Sequence, residues 1–212
     1  MGLHAPEQGF LPAPLFFEHA SYPNGWIIVF VLFLVNLLFV YYNACTVLLF
    51  DDRYFGVVKR VVEAARSRIL ISQFKIDSVG ISGNSCVNQL LVTLVKKAEA
   101  GVNVKLLLDC ILPLRGRSAN NAFVALWLKK HRIDVRFLPQ NRCQHAKFLT
   151  VDGGHLIVGS HNWTVNSLKR NSECSVYLTD VLSVSVAEAE GSRLFDAGKE
   201  FGPGPSGSRG RA

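Results

Sequence analysis

No lysine or arginine precedes Arg53. A cleaved secretory leader needs a positively charged start, so the apolar run that follows Gly25 does not read as one. Disulfide and zinc frameworks are also missing. The five cysteines, Cys45, Cys86, Cys110, Cys143 and Cys174, are odd in number and far apart, with no Cys-x-x-Cys pair. That usage fits a reducing compartment. Internal repeats are absent too, and His-x-Lys occurs once. Any chemistry that needs two such motifs must find the second outside this chain.

What the chain does have is positive charge in its later part, an apolar block and an alternating core pattern. The net charge of +7 and pI near 9.3 point to anionic partners, either nucleic acid or anionic lipid. Residues 1–24 read as an irregular flank. From Trp26 to Tyr42 the sequence WIIVFVLFLVNLLFVYY carries no charge, and as a helix it would cover about 25 Å. Extended to Thr46 it would reach about 31 Å, so residues 25–46 are expected to form a transmembrane helix with Trp26 and Tyr41-Tyr42 at the interfaces. Arg53, Lys59, Arg60, Arg66 and Arg68 all follow the span, which by the positive-inside rule places residues 47–201 on the cytoplasmic side. Residues 202–212, GPGPSGSRGRA, have the composition of a disordered tail.

Residues 47–201 alternate strand and helix. Strands are predicted at 46–50, 69–76, 102–108 and 172–178, and helices at 54–67, 85–100, 118–131 and 181–200, giving an α/β fold with a mixed sheet flanked by helices. Arg115 and Arg117, in the loop after the 102–108 strand, are placed where ligand loops usually lie. Lys129, Lys130, His131 and Arg132 end a helix, where cations suit the dipole.

The stretch that holds the chemistry is QHAKFLTVDGGHLIVGSHNWTVNSLKRNSE, Gln144 to Glu173. Its apolar residues predict a strand from Ala146 to Val151 and a partner from Leu156 to Val158, joined by the turn Asp152-Gly153-Gly154. Strand geometry puts His145 and Lys147 on one face and brings Ser160 and Asn162 to the mouth of the same site. Cys143, two residues before His145, is read as a small buried side chain.

These residues follow the pattern His-x-Lys-x4-Asp-x6-Gly-Ser-x-Asn with a downstream Glu, met by His145, Lys147, Asp152, Gly159, Ser160, Asn162 and Glu173. The pattern resembles the phospholipase D superfamily of phosphodiesterases, in its single-motif branch, and the order of elements over residues 46–200 fits that family's mixed sheet. The resemblance implies catalytic roles for His145, Lys147 and Asp152, and supporting roles for Ser160, Asn162 and Glu173. It implies a covalent phosphohistidine without a metal or other cofactor, and a homodimer in which two motifs face one phosphorus. The residue types suit that chemistry. A neutral imidazole attacks an anionic diester with less repulsion than an anion would, and lysine and amide donors stabilise charge on the non-bridging oxygens. Glu173 could fix the tautomer of His145. His155 and His161 are possible in-chain second histidines, but neither is followed by lysine at that spacing, and both read as turn residues.

Three functions stand open at this point. The first is a membrane-anchored hydrolase of a phospholipid head-group diester. The second is a metal-independent endonuclease acting on DNA or RNA, and the third is an inactive dimeric scaffold.

Overall fold

The computed structural model describes residues 25–78, 83–109, 117–138 and 142–200. The chain divides into an N-terminal unit ending at Leu38 and a second unit beginning at Phe39. The expectations for residues 1–24 and 202–212 lie outside the described residues.

The first helix, α1 (Gly25–Asn43), has no charged residue, and its side chains from Trp26 to Val35 are exposed. At 19 residues it measures about 28 Å. Among the described residues no helix is long and apolar enough to cross a membrane. The expected continuation to Thr46 does not occur, because the sheet claims those residues. The strand β1 begins at Thr46, and Cys45 is already fixed by its N–H to Thr179 Oγ1 at 2.7 Å and by Thr179 N–H to its carbonyl at 3.0 Å.

The second unit is built on an eight-stranded mixed sheet. In chain order its elements are β1 (Thr46–Phe50), α2 (Arg53–Ala64), β2 (Arg68–Gln73), α3 (Cys86–Glu99), β3 (Asn103–Leu108), α4 (Arg117–Lys130), β4 (Asp134–Phe137), β5 (Phe148–Val151), β6 (His155–Gly159), α5 (Val165–Lys169), β7 (Cys174–Leu178), α6 (Val181–Ala197) and β8 (Lys199–Glu200). The strand order is β1-β7-β6-β5-β2-β3-β4-β8. β2, β3 and β4 run parallel, as their helical crossovers require. The remaining pairs are antiparallel.

Alternation along each strand sorts the core into two layers. Ile69, Ile71, Leu106, Leu108, Leu149 and Ile157 face α2, α3 and α4 and meet Val58, Val62, Leu90, Leu94, Val124 and Leu128 in the main core. The intervening residues face α6, where Leu70 and Leu107 pack with Leu194 and Phe195, and Phe148 and Leu156 pack with Val184. α6 sits close to the sheet at Gly191, where a β-carbon would stand 2.8 Å from Leu70 and 3.0 Å from Phe148.

The structure departs from the sequence reading at element ends. β2 stops at Gln73, and Ile76 instead bridges to Trp163. β4 and β8 were not expected. They are only 4 and 2 residues long and pair through Arg136–Glu200 and Phe137–Lys199, so their polar residues hide the pattern. β8 also shortens the predicted final helix, which stops at Ala197, and Lys129 at the end of α4 pairs with Glu200 at 2.6 Å.

Candidate active site

The β5–β6 hairpin places the site. Its turn has positive φ at both Asp152 (52°) and Gly153 (68°), and Gly154 N–H closes onto Val151 O at 3.1 Å. This is the primed turn that matches strand twist. Asp152 itself is occupied elsewhere. Its carboxylate accepts from Arg66 N–H (2.7 Å), Ser67 N–H (2.9 Å), Ser67 Oγ–H (2.8 Å) and Arg68 N–H (2.8 Å). Burial opposes its charge, but these four bonds outweigh burial and hold the carboxyl down to about 2.

Asp152 therefore ties the hairpin tip to the α2–β2 junction. The catalytic role implied for it does not match this geometry, because Lys147 lies at the opposite end of β5, about 16 Å away along the strand. Asp152 is also not among the residues lining the groove there.

That opposite end opens into a groove of about 490 Å³ lined by His145, Lys147, Ser160, Asn162 and Glu173, together with Ala146, Val158 and Gly159. His145 is exposed and rests against Phe74, with ring centroids 4.5 Å apart at 59°. Lys147 is only 8% exposed. Its Nζ donates to His145 O at 2.7 Å and lies 3.2 and 3.3 Å from the two ring nitrogens, almost equidistant, so it selects neither tautomer. It also stands 5.1 Å from the Phe74 ring centroid. Burial lowers its pKa below the ordinary lysine value, and the charge of Glu173 offsets this only in part.

Glu173 departs from expectation. Its carboxylate accepts from Ser160 Oγ–H and, at 3.2 Å, from Asn171 Nδ2–H, and it makes no bond to His145. Burial works against its charge, yet these donors keep its pKa below the usual value. Its backbone is clamped by a residue 122 positions earlier: Glu173 N–H donates to Asp51 Oδ1 at 2.9 Å, and Asp51 N–H donates to Glu173 O at 3.1 Å. Asp51 reaches this geometry with a φ of 51°.

Gly159 makes the Ser160–Glu173 pair possible. A β-carbon there would lie 2.4 Å from Ser175 Cα and 2.5 Å from Cys174 O. Only glycine lets β6 approach β7 this closely, so that Ser160 N–H reaches Cys174 O at 3.0 Å. Asn162 is half-buried, and its Oδ1 is buried with no partner among the described residues.

The two histidines weighed as in-chain substitutes, His161 and His155, are held in other contacts. His161 is fully buried and stacks on Tyr54 at 4.2 Å and 8°. Its Nε2–H donates to Asp51 O at 3.0 Å, and its Nδ1 accepts from Ser175 Oγ–H at 2.7 Å. Burial lowers its pKa, so it stays neutral in this arrangement. Tyr54 receives Trp163 Nε1–H at 3.2 Å and is pushed up to about 12 by burial. His155 pairs with Tyr177 OH at 2.8 Å on the hairpin's far half.

Several supporting residues were not visible in the sequence. Gln144 N–H donates to Asp109 Oδ1 at 2.9 Å, and Ser72 Oγ–H donates to Ala146 O at 2.9 Å, which together set the approach to His145. Asn121, fully buried, joins three loop positions: it accepts from Ile76 N–H at 2.9 Å and donates to Phe74 O at 2.9 Å and to Asp109 O at 2.7 Å. A polar residue inside the α4 pattern was the available signal. Cys143 is exposed, contrary to the buried reading. Arg115 lies outside the described residues, and Arg117 is the first residue of α4. Among the described residues no group of three or more His, Cys, Asp or Glu is placed to hold a metal ion.

The chain is similar to known proteins in sequence and in fold. Residues 58–194 match the family described as cardiolipin synthase, PLD-like domain. A mitochondrial cardiolipin hydrolase from Mus musculus is 31% identical over 105 residues, covering 50% of this chain and 44% of the relative. Its counterpart from Canis lupus familiaris is also 31% identical over 105 residues, covering 50% and 38%. The chain thus spans less than half the length of these curated relatives. In three dimensions the chain is similar to Nuc from Salmonella typhimurium, a phospholipase D family member (TM-score 0.64, 17% identity, 76% of this chain and 100% of Nuc). NucT from Helicobacter pylori is a second structural neighbour (TM-score 0.62, 15% identity, 75% and 100%). With the family match running over most of the globular unit and the mixed sheet shared with these neighbours, the chain belongs to the phospholipase D superfamily.

Proposed function

We propose that the protein is a phosphodiesterase that hydrolyses a phospholipid head-group diester through a phosphohistidine at His145. The observation that carries this reading is the exposed imidazole of His145 beside the buried ammonium of Lys147, in a groove that also presents Ser160 and Asn162. A ring nitrogen of neutral His145 attacks phosphorus, forming a P–N bond as the P–O bond to the leaving alcohol breaks. Lys147 and the Asn162 amide face the non-bridging oxygens, where negative charge must be held. Lys147 suits this task because the charge of Glu173 offsets the burial of its ammonium only in part, and a bound phosphate would complete the compensation. Glu173 acts through Ser160, orienting the hydroxyl at the groove edge.

The leaving alkoxide needs a proton, and among the described residues no second exposed histidine stands beside His145. His161 is buried and His155 lies on the other half of the hairpin. We therefore assign the acid to His145 of the partner subunit in a homodimer with a composite site. The same group then takes a proton from the water that breaks the P–N bond and restores His145. Although no described helix is long and apolar enough to span by itself, the uncharged sequence of residues 25–46 supports a membrane anchor, and the basic residues that follow it favour a cytoplasmic location for residues 47–201.

The net charge of +7 favours a second reading, cleavage of DNA or RNA at the same site. The test is to offer the purified full chain phosphatidylcholine, cardiolipin, single-stranded DNA and RNA, each with chelator present. Head-group release with intact nucleic acid supports the lipid reading, and the reverse selects the nuclease. His145→Asn is expected to abolish turnover, and residual activity in that variant would remove His145 as nucleophile. An active species that is strictly monomeric in light scattering would rule out the composite site.

A further inference from the structure

A second groove, of about 460 Å³, adjoins the catalytic one. Its floor is formed by Phe148 and Leu156, only 8% and 4% exposed, with Leu178 beside them. Its lips are Leu182 and Val186 of α6, 74% and 60% exposed, and Val158 of β6, 36% exposed. Val158 also lines the catalytic groove, so the two grooves share one wall.

We infer that this apolar slot holds an acyl chain of the substrate while the diester lies at His145. The inference rests on the phosphodiesterase reading and narrows its substrate to a lipid. An open groove of this volume with a buried apolar floor and exposed apolar lips offers a hydrocarbon chain a surface to lie along. From Leu182 to Glu190 the slot follows about 12 Å of α6, a length suited to a thin, flexible chain. The wall is also electrically acceptable to an anionic lipid. Its one charged residue, Glu190, is matched by Arg193, whose Nη2 and Nε donate to the two carboxylate oxygens at 2.6 and 2.7 Å. Only a molecule that joins a phosphodiester to a hydrocarbon tail satisfies both grooves at once. A nucleic acid strand would leave the apolar lips wet.

The test uses the full chain carrying His145→Asn, so that a bound diester is not consumed, and a fluorescent dihexanoyl phospholipid kept below its micelle concentration. Leu182→Gln with Val186→Gln replaces two exposed lips and leaves the core intact, which a thermal melt verifies. The lipid is expected to bind, and the double replacement to weaken it by about tenfold or more. A glycerophosphodiester without acyl chains is expected to compete equally poorly in both proteins.

Bis(p-nitrophenyl) phosphate hydrolysis by otherwise wild-type protein, with and without the two glutamines, separates the two readings. Equal turnover with altered lipid binding supports the slot. Equal turnover with unaltered lipid binding, or with no lipid binding in either protein, overturns the slot and leaves the phosphodiesterase reading standing. No turnover in either protein overturns the phosphodiesterase reading itself and, with it, the slot that rests on it. A change in oligomeric state on light scattering, with lipid binding unaltered, would assign the slot to a second copy and overturn the proposal.

Discussion

Asp152→Asn separates a structural aspartate from a chemical one. In the folded chain the carboxyl sits at about 2 against an ordinary value of 3.8. That depression corresponds to a stabilisation of about 2 kcal/mol, reduced to about 1–2 kcal/mol because the group is only half-buried and solvent screens it. An asparagine keeps one oxygen for some of the four donors but turns an N–H toward the others. Because the folded-state pKa is depressed, this stabilisation is complete above about pH 4 and is lost as pH falls through about 2. Urea unfolding at pH 7 should show the variant less stable by about 1–2 kcal/mol, and the gap to wild type should close by about pH 2. Turnover of bis(p-nitrophenyl) phosphate at 20 °C should stay within about twofold of wild type, since the groove is untouched. A loss of roughly hundredfold in kcat with an unchanged urea midpoint would refute this and return Asp152 to the chemistry.

Three other outcomes follow from the geometry. Gly159→Ala drives a methyl group into Ser175 Cα and Cys174 O, so thermal melts should show a loss of about 3 kcal/mol together with loss of activity, and a stable, active variant would contradict the close β6–β7 approach. His161→Phe keeps a ring on Tyr54 but takes the partner from Ser175 Oγ and leaves Asp51 O with only the Tyr54 N–H at 3.4 Å, costing about 1–3 kcal/mol. Since burial lowers the pKa of His161, the wild type should lose stability as pH falls below about 6.5, a dependence the phenylalanine variant should lack in urea titrations across pH 5–8. Finally, kcat/KM for the small diester should decline with an alkaline pKa below the ordinary lysine value of 10.5, reporting Lys147 in the free enzyme; a limb at or above that value would show that burial does not weaken its ammonium.

Much of this was legible in the sequence because it is local. Alternation fixed the faces of β5 and β6, the Asp152-Gly153 pair marked the turn, and spacing alone brought His145 beside Lys147. What escaped depends on partners distant in sequence. Spacing could locate Asp152 but not the backbone N–H groups of Arg66, Ser67 and Arg68 that claim its carboxylate. Glu173 was assigned to His145 because nothing local reveals that Gly159 lets β6 press on β7 and hands Glu173 to Ser160. The helix expected to run to Thr46 stops at Asn43 because pairing with β7, settled 130 residues later, competes for the same segment. Phe74 and Asn121 carry no motif, so only the fold shows that one floors the site and the other pins its loops.

The bond between Asp51 and Glu173 also has a practical side. The first strand leads directly into the residue that seats the groove's acidic edge, although that residue lies 122 positions earlier in the primary structure. Anyone trimming the apolar front of the molecule for crystallisation therefore has a firm boundary: a shortened version must start no later than Cys45. Cutting a few residues further in would strip one border strand and release the seat of Glu173 at the same stroke.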